Sequence, residues 1–408
     1  MMVPKLRLGL YKNEELSVWH KAYLGELVEF KKGRGISKSD ISENGQYPCI
    51  RYGELYTIYN EKIYNIQSRT NCHPDEYVIS KTGDVLIPAS GETAIDIARA
   101  STLLEDNVIL GGDINILTPK VKNISSLFLS YNIVGKKRNE LAKMAQGNSV
   151  VHLYSSQLKT LEINFPSLEE QKKIANFLSS VDEKFTLLNK QYDLLCQYKK
   201  GIMQKIFSQE LRFKDENGED FPDWEKCELK NFLIPTLREV KKPIENFLSI
   251  GVRSHFKGTF HKEEQDPNKV SVDKLFLVHK GDFILNITFA WEGALAIVRK
   301  EDHLGYVSHR FPTYTFKKEV ITSNFFRYIY TLPKFLTYLD LCSPGGAGRN
   351  RVLKKSEFLE IKIDRPCMAE QTKIASFLSA IEDKITTKKE ELDTLKTWKQ
   401  GLLQQMFV

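Results

Sequence analysis

The chain has 408 residues, 41% of them hydrophobic and 27% charged, with a formal net charge of +7. That make-up suits two to four folded domains and excludes a disordered, collagenous or membrane-spanning chain. No run of about eighteen apolar residues occurs, and the N-terminal stretch lacks the apolar centre of a signal peptide, so the expected location is the cytoplasm, with no membrane partner.

Taken in order, the chain opens with Leu6-Arg7, followed by Trp19 and Leu24. Lys31, Lys32, Arg34 and Lys38 lie in a glycine-punctuated basic stretch that reads as a loop. Arg51-Tyr52-Gly53-Glu54 follows a predicted strand, and Glu76 to Ser90 reads as two short strands around a turn at Thr82-Gly83-Asp84. Lys136-Lys137-Arg138 reads as a solvated helix face. Gln146-Gly147-Asn148-Ser149 is a loop leading to a strand-like stretch that ends at Pro166.

From Pro166 to Phe207 the pattern changes. Ile174, Leu178, Val181, Phe185, Leu188, Tyr192 and Leu195 step by four and three in turn, which keeps one stripe of a helix facing a partner. Ser167 and Glu170 have capping-box spacing at its start. A forty-residue helix would be about 60 Å long at about 1.5 Å per residue. The stretch from Ser208 to Asp223, broken by Gly218 and Pro222, reads as a joint.

The second half then repeats the first. Leu211-Arg212, Trp224 and Leu229 restate the opening lead, and Leu275 to Thr288 restates the two strands around a turn at Lys280-Gly281-Asp282. Pro366 to Phe407 restates the helix without a gap, with Glu370, Gln371, Lys373, Ile374, Ala375, Phe377, Leu378 and Ser379 identical to their counterparts 200 residues earlier. Its apolar stripe continues through Ile381, Ile385, Leu392 and Leu395. Lys388 and Lys399 interrupt that stripe, where they either fix register or face a bound polyanion. Gly201 and Gly401, which lower helix propensity by about 1 kcal/mol each, read either as close helix contacts or as breaks.

The expected fold is therefore α+β: two mixed α/β domains related by an internal pseudo-twofold repeat, separated by two long helices that pair as an intramolecular antiparallel coiled coil. The expected bounds are 1–165 and 209–365 for the domains, with 166–208 and 366–408 for the helices. Between lead and helix the two halves diverge, which suits a shared scaffold presenting different contents.

The layout L-R…W, a variable region, P-x-x-x-E-Q-x-K-I-A-x-F-L-S and a long helix ending K-x-G-[IL]-[ML]-Q-x-[IM]-F occurs twice and covers essentially the whole chain. It resembles the DNA specificity (S) subunit of type I restriction-modification systems. The first lead departs from the pattern, with Glu15-Leu16-Ser17-Val18-Trp19 in place of Asp220-Phe221-Pro222-Asp223-Trp224. The resemblance implies two target recognition domains that each read one half of a bipartite, asymmetric sequence in double-stranded DNA, with the helices as a ruler. It also implies docking of two methyltransferase (M) subunits and two restriction (R) subunits. S-adenosylmethionine, ATP and Mg would belong to those partners, with no cofactor bound by this chain and no catalytic role.

The residues agree that chemistry lies elsewhere. No G-x-x-x-x-G-K-[ST] phosphate loop and no Asn/Asp-Pro-Pro-aromatic tetrad is present. Glu360-Ile361-Lys362 has the outline of a nuclease metal site, yet FLEIKI alternates like an ordinary strand. Cys49, Cys72, Cys196, Cys227, Cys342 and Cys367 have no C-x-x-C spacing, so reduced thiols are expected and no metal site. His255, His261, His279, His303 and His309 share no ligand spacing with a cysteine and read as solvated or base-contacting.

For DNA, phosphate contacts position and base-edge contacts specify, with Arg suited to guanine and Asn or Gln to adenine. The candidates are Lys31, Lys32, Arg34, Arg51, Tyr52, Ser90 and Asn148 in the first half. In the second they are Arg253, His255, Lys257, Trp291, His309, Arg310, Arg349, Asn350 and Arg351. The competing reading of any lysine among them is a solvated surface charge. The competing function is a coiled-coil scaffold or adaptor whose globular domains bind proteins.

Overall fold

The computed structural model describes residues 4–7, 18–262, 265–345 and 351–408. They form two compact units, Met1–Asp193 with Thr387–Val408, and Leu194–Thr386. Each unit therefore contains a globular mixed α/β region plus a portion of both long helices, Leu168–Phe207 and Met368–Gln405.

In the first unit a five-stranded sheet runs in the order Val28–Lys32, Ile114–Pro119, Val85–Pro88, Ser101–Leu103, Lys62–Ile63. A four-stranded sheet orders Ser68–Thr70, Tyr47–Ile50, Ile109–Leu110 and Val78–Ile79. In the second unit Leu233–Pro235, Thr313–Phe316, Phe283–Leu285 and Leu295–Ile297 make a four-stranded sheet, beside a three-stranded one of Glu239–Lys241, Lys274–Leu277 and Tyr306–Val307. The two strands read around each Gly-Asp turn fall into different sheets, Val78–Ile79 and Val85–Pro88 in one unit, Lys274–Leu277 and Phe283–Leu285 in the other. The turns themselves need glycine, since Gly83 sits at φ +93 and Gly281 at φ +90.

The repeated signature has a physical cause. In each unit the lead pairs antiparallel with the strand preceding the helix, His20 opposite Phe165 in one and Glu225 opposite Arg365 in the other. The lead arginine then clamps the helix start. Arg7 Nη2 lies 2.6 Å from Glu170 Oε2, and Arg212 Nη2 lies 2.8 Å from Glu370 Oε2. The next residue locks the helix to the domain. Gln171 accepts from Ser125 N and donates to the carbonyls of Asn123 and Pro166, while Gln371 accepts from Thr322 N and donates to those of Val320 and Pro366. Ser125 and Thr322 are themselves N-caps of domain helices, so each glutamine ties one helix start to another.

The first lead does differ from the second. Trp224 Nε1 donates to Glu370 at 3.0 Å, whereas the buried Trp19 Nε1 finds no acceptor among the described residues. Ser167 Oγ accepts from the Glu170 amide at 3.4 Å, the capping bond its spacing suggested.

The apolar stripes serve two surfaces. Ile174, Leu178, Val181 and Leu188 share a core with Phe128, Leu129 and Tyr131 of the domain and with Leu392, Leu395, Leu402 and Met406 of the second helix, and Phe185 packs partly buried against it. In the second unit Ile374, Leu378 and Ile381 share a core with Phe325, Phe326 and Ile206, Ile385 packing at its edge. Leu195 is half-buried. The helix portions within the first unit run antiparallel, since Asn164 meets Val408 while Asp182 meets Lys399.

Three local expectations fail. Lys136 and Lys137 lie between helices Ser126–Gly135 and Arg138–Met144, with Lys137 buried against Glu140 and Arg138 bonded to the Ile95 carbonyl, so this run is not a solvated helix face. FLEIKI is not one strand. Phe358 and Leu359 end the helix Lys355–Leu359 because Phe358 must reach Phe283 and Tyr314 in the core, and the strand begins only at Lys362. Gly201 and Gly401 mark neither a break nor a close contact: both helices run through them, and a Cβ at Gly201 would meet nothing within 4 Å.

Candidate nucleic-acid interface

In the first unit Lys31 and Lys32 end the strand Val28–Lys32 rather than occupying a loop, because Ile116 and Asn115 pair with them across the sheet. Both are exposed, with Lys32 Nζ 3.6 Å from Asp113. Beside them a cleft of about 220 Å³ is lined by Phe30, Lys32, Asn115, His152 and Tyr154. The His152 and Tyr154 rings stack at 6.0 Å. Asn148 is exposed near the tip of a hairpin closed by reciprocal backbone bonds between Gln146 and His152, and Gly147 at φ +127 turns the chain there.

Ser90 is corrected by the structure. It is 3% exposed, paired with His152 in a two-residue strand, so it forms the floor of this surface rather than a contact. Arg34 is exposed one residue beyond Gly33, whose missing Cβ allows the backbone to pass against Gly111. Arg51 turns inward: its Nη2 lies 3.0 Å from the buried Glu54 carboxylate, which also accepts from Ser68. Tyr52 stays half-exposed, its ring 6.4 Å from Tyr56, and Tyr56 stands beside Gly91. Lys31 and Lys32 line the cleft, Arg34, Tyr52 and Asn148 are exposed elsewhere on the unit, and Arg51 and Ser90 are turned inward.

The second unit is built around the turn Thr288 to Gly293. Trp291 Nε1 donates to the Thr288 carbonyl, Arg310 Nη1 reaches Thr288 Oγ1 at 3.2 Å, and Arg351 stacks on the Trp291 ring at 4.9 Å. Arg351 also donates to the carbonyls of Ser343 and Asp340 and sits 2.7 Å from the Asp340 carboxylate, so most of its fork is occupied. Glu292 holds the neighbouring loop, accepting from Ser254 Oγ at 2.8 Å and, through its carbonyl, from His255 N at 2.7 Å. Arg253, His255, Lys257, His309 and Arg310 are exposed. Arg349 and Asn350 lie outside the described residues.

His255, His261, His303 and His309 are exposed and His279 is half-buried, and three of the five have partners within the unit. His261 Nε2 lies 3.0 Å from Asp302, the His279 and His303 rings are 4.9 Å apart, and His303 Nδ1 accepts from Lys280 N. Burial lowers the His279 pKa, aided by Arg238 beside it. Asp302 is fully buried. Burial alone would raise its pKa, but bonds from Thr259 and Arg299 outweigh that and hold it below the usual carboxylate range.

Sequence reasoning missed Phe260 and Lys262 in the second unit and His152 and Tyr154 in the first. For Phe260 the available signal was alternation, since it stands between Thr259 and His261 on the strand Thr259–His261 and so faces the other way, while Lys262 follows the strand's end.

No group of three or more His, Cys, Asp or Glu side chains able to hold a metal occurs among the described residues. No helix of the described residues is long and apolar enough to cross a membrane.

The family model described as the type I restriction modification DNA specificity domain matches twice, over residues 17–196 and 217–397. The specificity subunit of the type I restriction enzyme MjaVIII from Methanocaldococcus jannaschii is 25% identical over 94% of this chain and 91% of its own length. The putative MjaX specificity subunit from the same organism is 28% identical over 72% of this chain and 70% of its own. Among solved structures, the type I restriction-modification S subunit of M. genitalium aligns over 100% of this chain and 99% of its own with TM-score 0.64 at 17% identity, a likeness of fold.

Proposed function

The chain belongs to the type I restriction-modification DNA specificity family, and from that premise we propose that it is the non-catalytic, DNA-reading subunit of such a complex. Each unit reads one half of a bipartite, asymmetric target in double-stranded DNA. Two methyltransferase subunits dock on it, joined by two restriction subunits in the full assembly, and those partners supply S-adenosylmethionine, ATP and Mg. The complex works in the cytoplasm.

The observation that carries this reading is one scaffold bearing two unlike heads. The Arg–Glu clamp and the Gln lock recur in both units, while the surface of Lys31, Lys32, Asn148 and Tyr154 has no likeness to that of Arg253, Trp291 and Arg310. A shared frame with divergent exposed cations and rings suits reading of two different half-sites, phosphates contacted by lysines and base edges by arginine and amide side chains.

The test is to express the chain with its cognate methyltransferase subunit and map methylated adenines across the host genome. A two-part motif is expected, and exchanging residues 20–160 for those of another member should change one part only. Affinity of the purified complex for that motif should fall linearly in log–log against salt. Salt-independent binding, or no DNA affinity at all, would favour the scaffold reading instead.

A further inference from the structure

A hairpin in the second unit, Ile250–Val252 and Thr259–His261, carries a side chain set apart from its neighbours. Among the described arginines of this unit, Arg212, Arg238, Arg299, Arg310, Arg327, Arg351 and Arg365 all spend donors on carboxylates, hydroxyls or carbonyls. Arg253 is exposed and its guanidinium has no hydrogen bond or ion pair among the described residues. It is nonetheless held in place, with Cζ 5.0 Å over the Phe260 ring.

The holding extends inward. Phe260 lies flat over Gly251, where any Cβ would collide with the ring. On the opposite face of the same strand Thr259 and His261 are both bonded to the buried Asp302, which fixes the direction in which Phe260 points. The loop is pinned at its base by Arg253 N to the Gly258 carbonyl at 3.0 Å and at its crest by Phe256 N to the Gly293 carbonyl at 2.9 Å. His255 and Phe256 adopt consecutive left-handed conformations, φ +60 and +56, which non-glycine residues rarely take and which the bonds to Glu292 and Gly293 sustain. A strained, anchored loop thus presents one stacked guanidinium with its hydrogen-bonding fork open to solvent.

We propose that Arg253 is a guanine-reading residue of the second unit, its fork donating to O6 and N7 of one guanine in the major groove, the bidentate pairing that an arginine of fixed plane is shaped for. The inference rests on the DNA-reading function above and adds the residue and the base. A phosphate can also accept the fork, but it does not require a guanidinium held in a fixed plane, which reading two atoms on one base edge does.

The test uses the whole complex and the methylation map, with wild type, Arg253→Lys and Arg253→Ala. In both variants one guanine position of one half-site becomes degenerate, discrimination there dropping by about tenfold to a hundredfold, while the other half-site is unchanged. An unaltered motif in both variants overturns the proposal. So does uniform weakening with an intact motif that lysine rescues, which would make Arg253 a phosphate contact. A wild-type complex that methylates no two-part motif overturns the underlying function first, and is told apart because it fails before any substitution is made.

Discussion

Lys399 lies 2.6 Å from Asp182, joining the end of the second long helix to the start of the first within one unit. The other unit repeats the bond at equivalent positions, Lys199 to Glu382, also at 2.6 Å. Each lysine faces a tyrosine ring, Tyr131 or Tyr328, whose hydroxyl donates to the same carboxylate. Of the two readings of Lys399, the register-fixing one has the bond that supports it.

Substituting these lysines should have unequal effects within the two units. Lys399 is mostly buried and also meets the buried Glu61 at 2.9 Å, so Lys399→Met strands two carboxylates and should cost about 3–5 kcal/mol. Lys199→Met, at a more exposed site where Arg327 still serves Glu382, should cost about 1 kcal/mol. Burial opposes the charge on Lys399, but Glu61 and Asp182 outweigh it and raise its pKa above 10.5. Its contribution is therefore complete below about pH 10.5 and is lost as pH climbs through the raised value. Denaturant melts of wild type and Lys399→Met from pH 7 to 11.5 should converge at the alkaline end.

The glutamine locks predict equal losses in the two halves. Gln171→Ala and Gln371→Ala each remove three hydrogen bonds at a site with no solvent access, which should cost about 2–4 kcal/mol apiece. Thermal melts should show comparable falls, and a difference above about 2 kcal/mol would break the equivalence of the halves.

Gly201→Ala and Gly401→Ala should stabilise the isolated chain by about 0.5–1 kcal/mol each, because both lie in continuous helix with room for a methyl group. A rise of a few degrees in melting temperature is expected; a fall would mean that the glycines answer a steric need within the chain.

The repeat was legible because it is one-dimensional: identities at constant offset survive without knowledge of contacts. What the identical residues do was not. Glu170 and Arg7 are 163 residues apart, and two of the three partners of Gln171 lie in a domain loop more than forty residues away, so no local pattern connects them. The candidate surface was legible only as a set of loops. Ser90 was named because a two-residue strand leaves no periodic trace; Arg51 was named for its charge although Glu54 stands three residues on, and the Asp340 partner of Arg351 is eleven residues away on a helix, where no local pattern connects them. The stacked Phe260 escaped notice since its role depends on Gly251 across the hairpin.

The paired bonds have one more outcome. Asp182 and Lys199 sit on a single helix, so the first half of the chain owns both the acceptor and the donor of the bond. Truncated after that helix, the polypeptide would be self-complementary: in a twofold homodimer with antiparallel helices each Lys199 would meet the twin's Asp182 and Glu61. Two identical readers would then face the duplex, and the preferred site would become a palindrome.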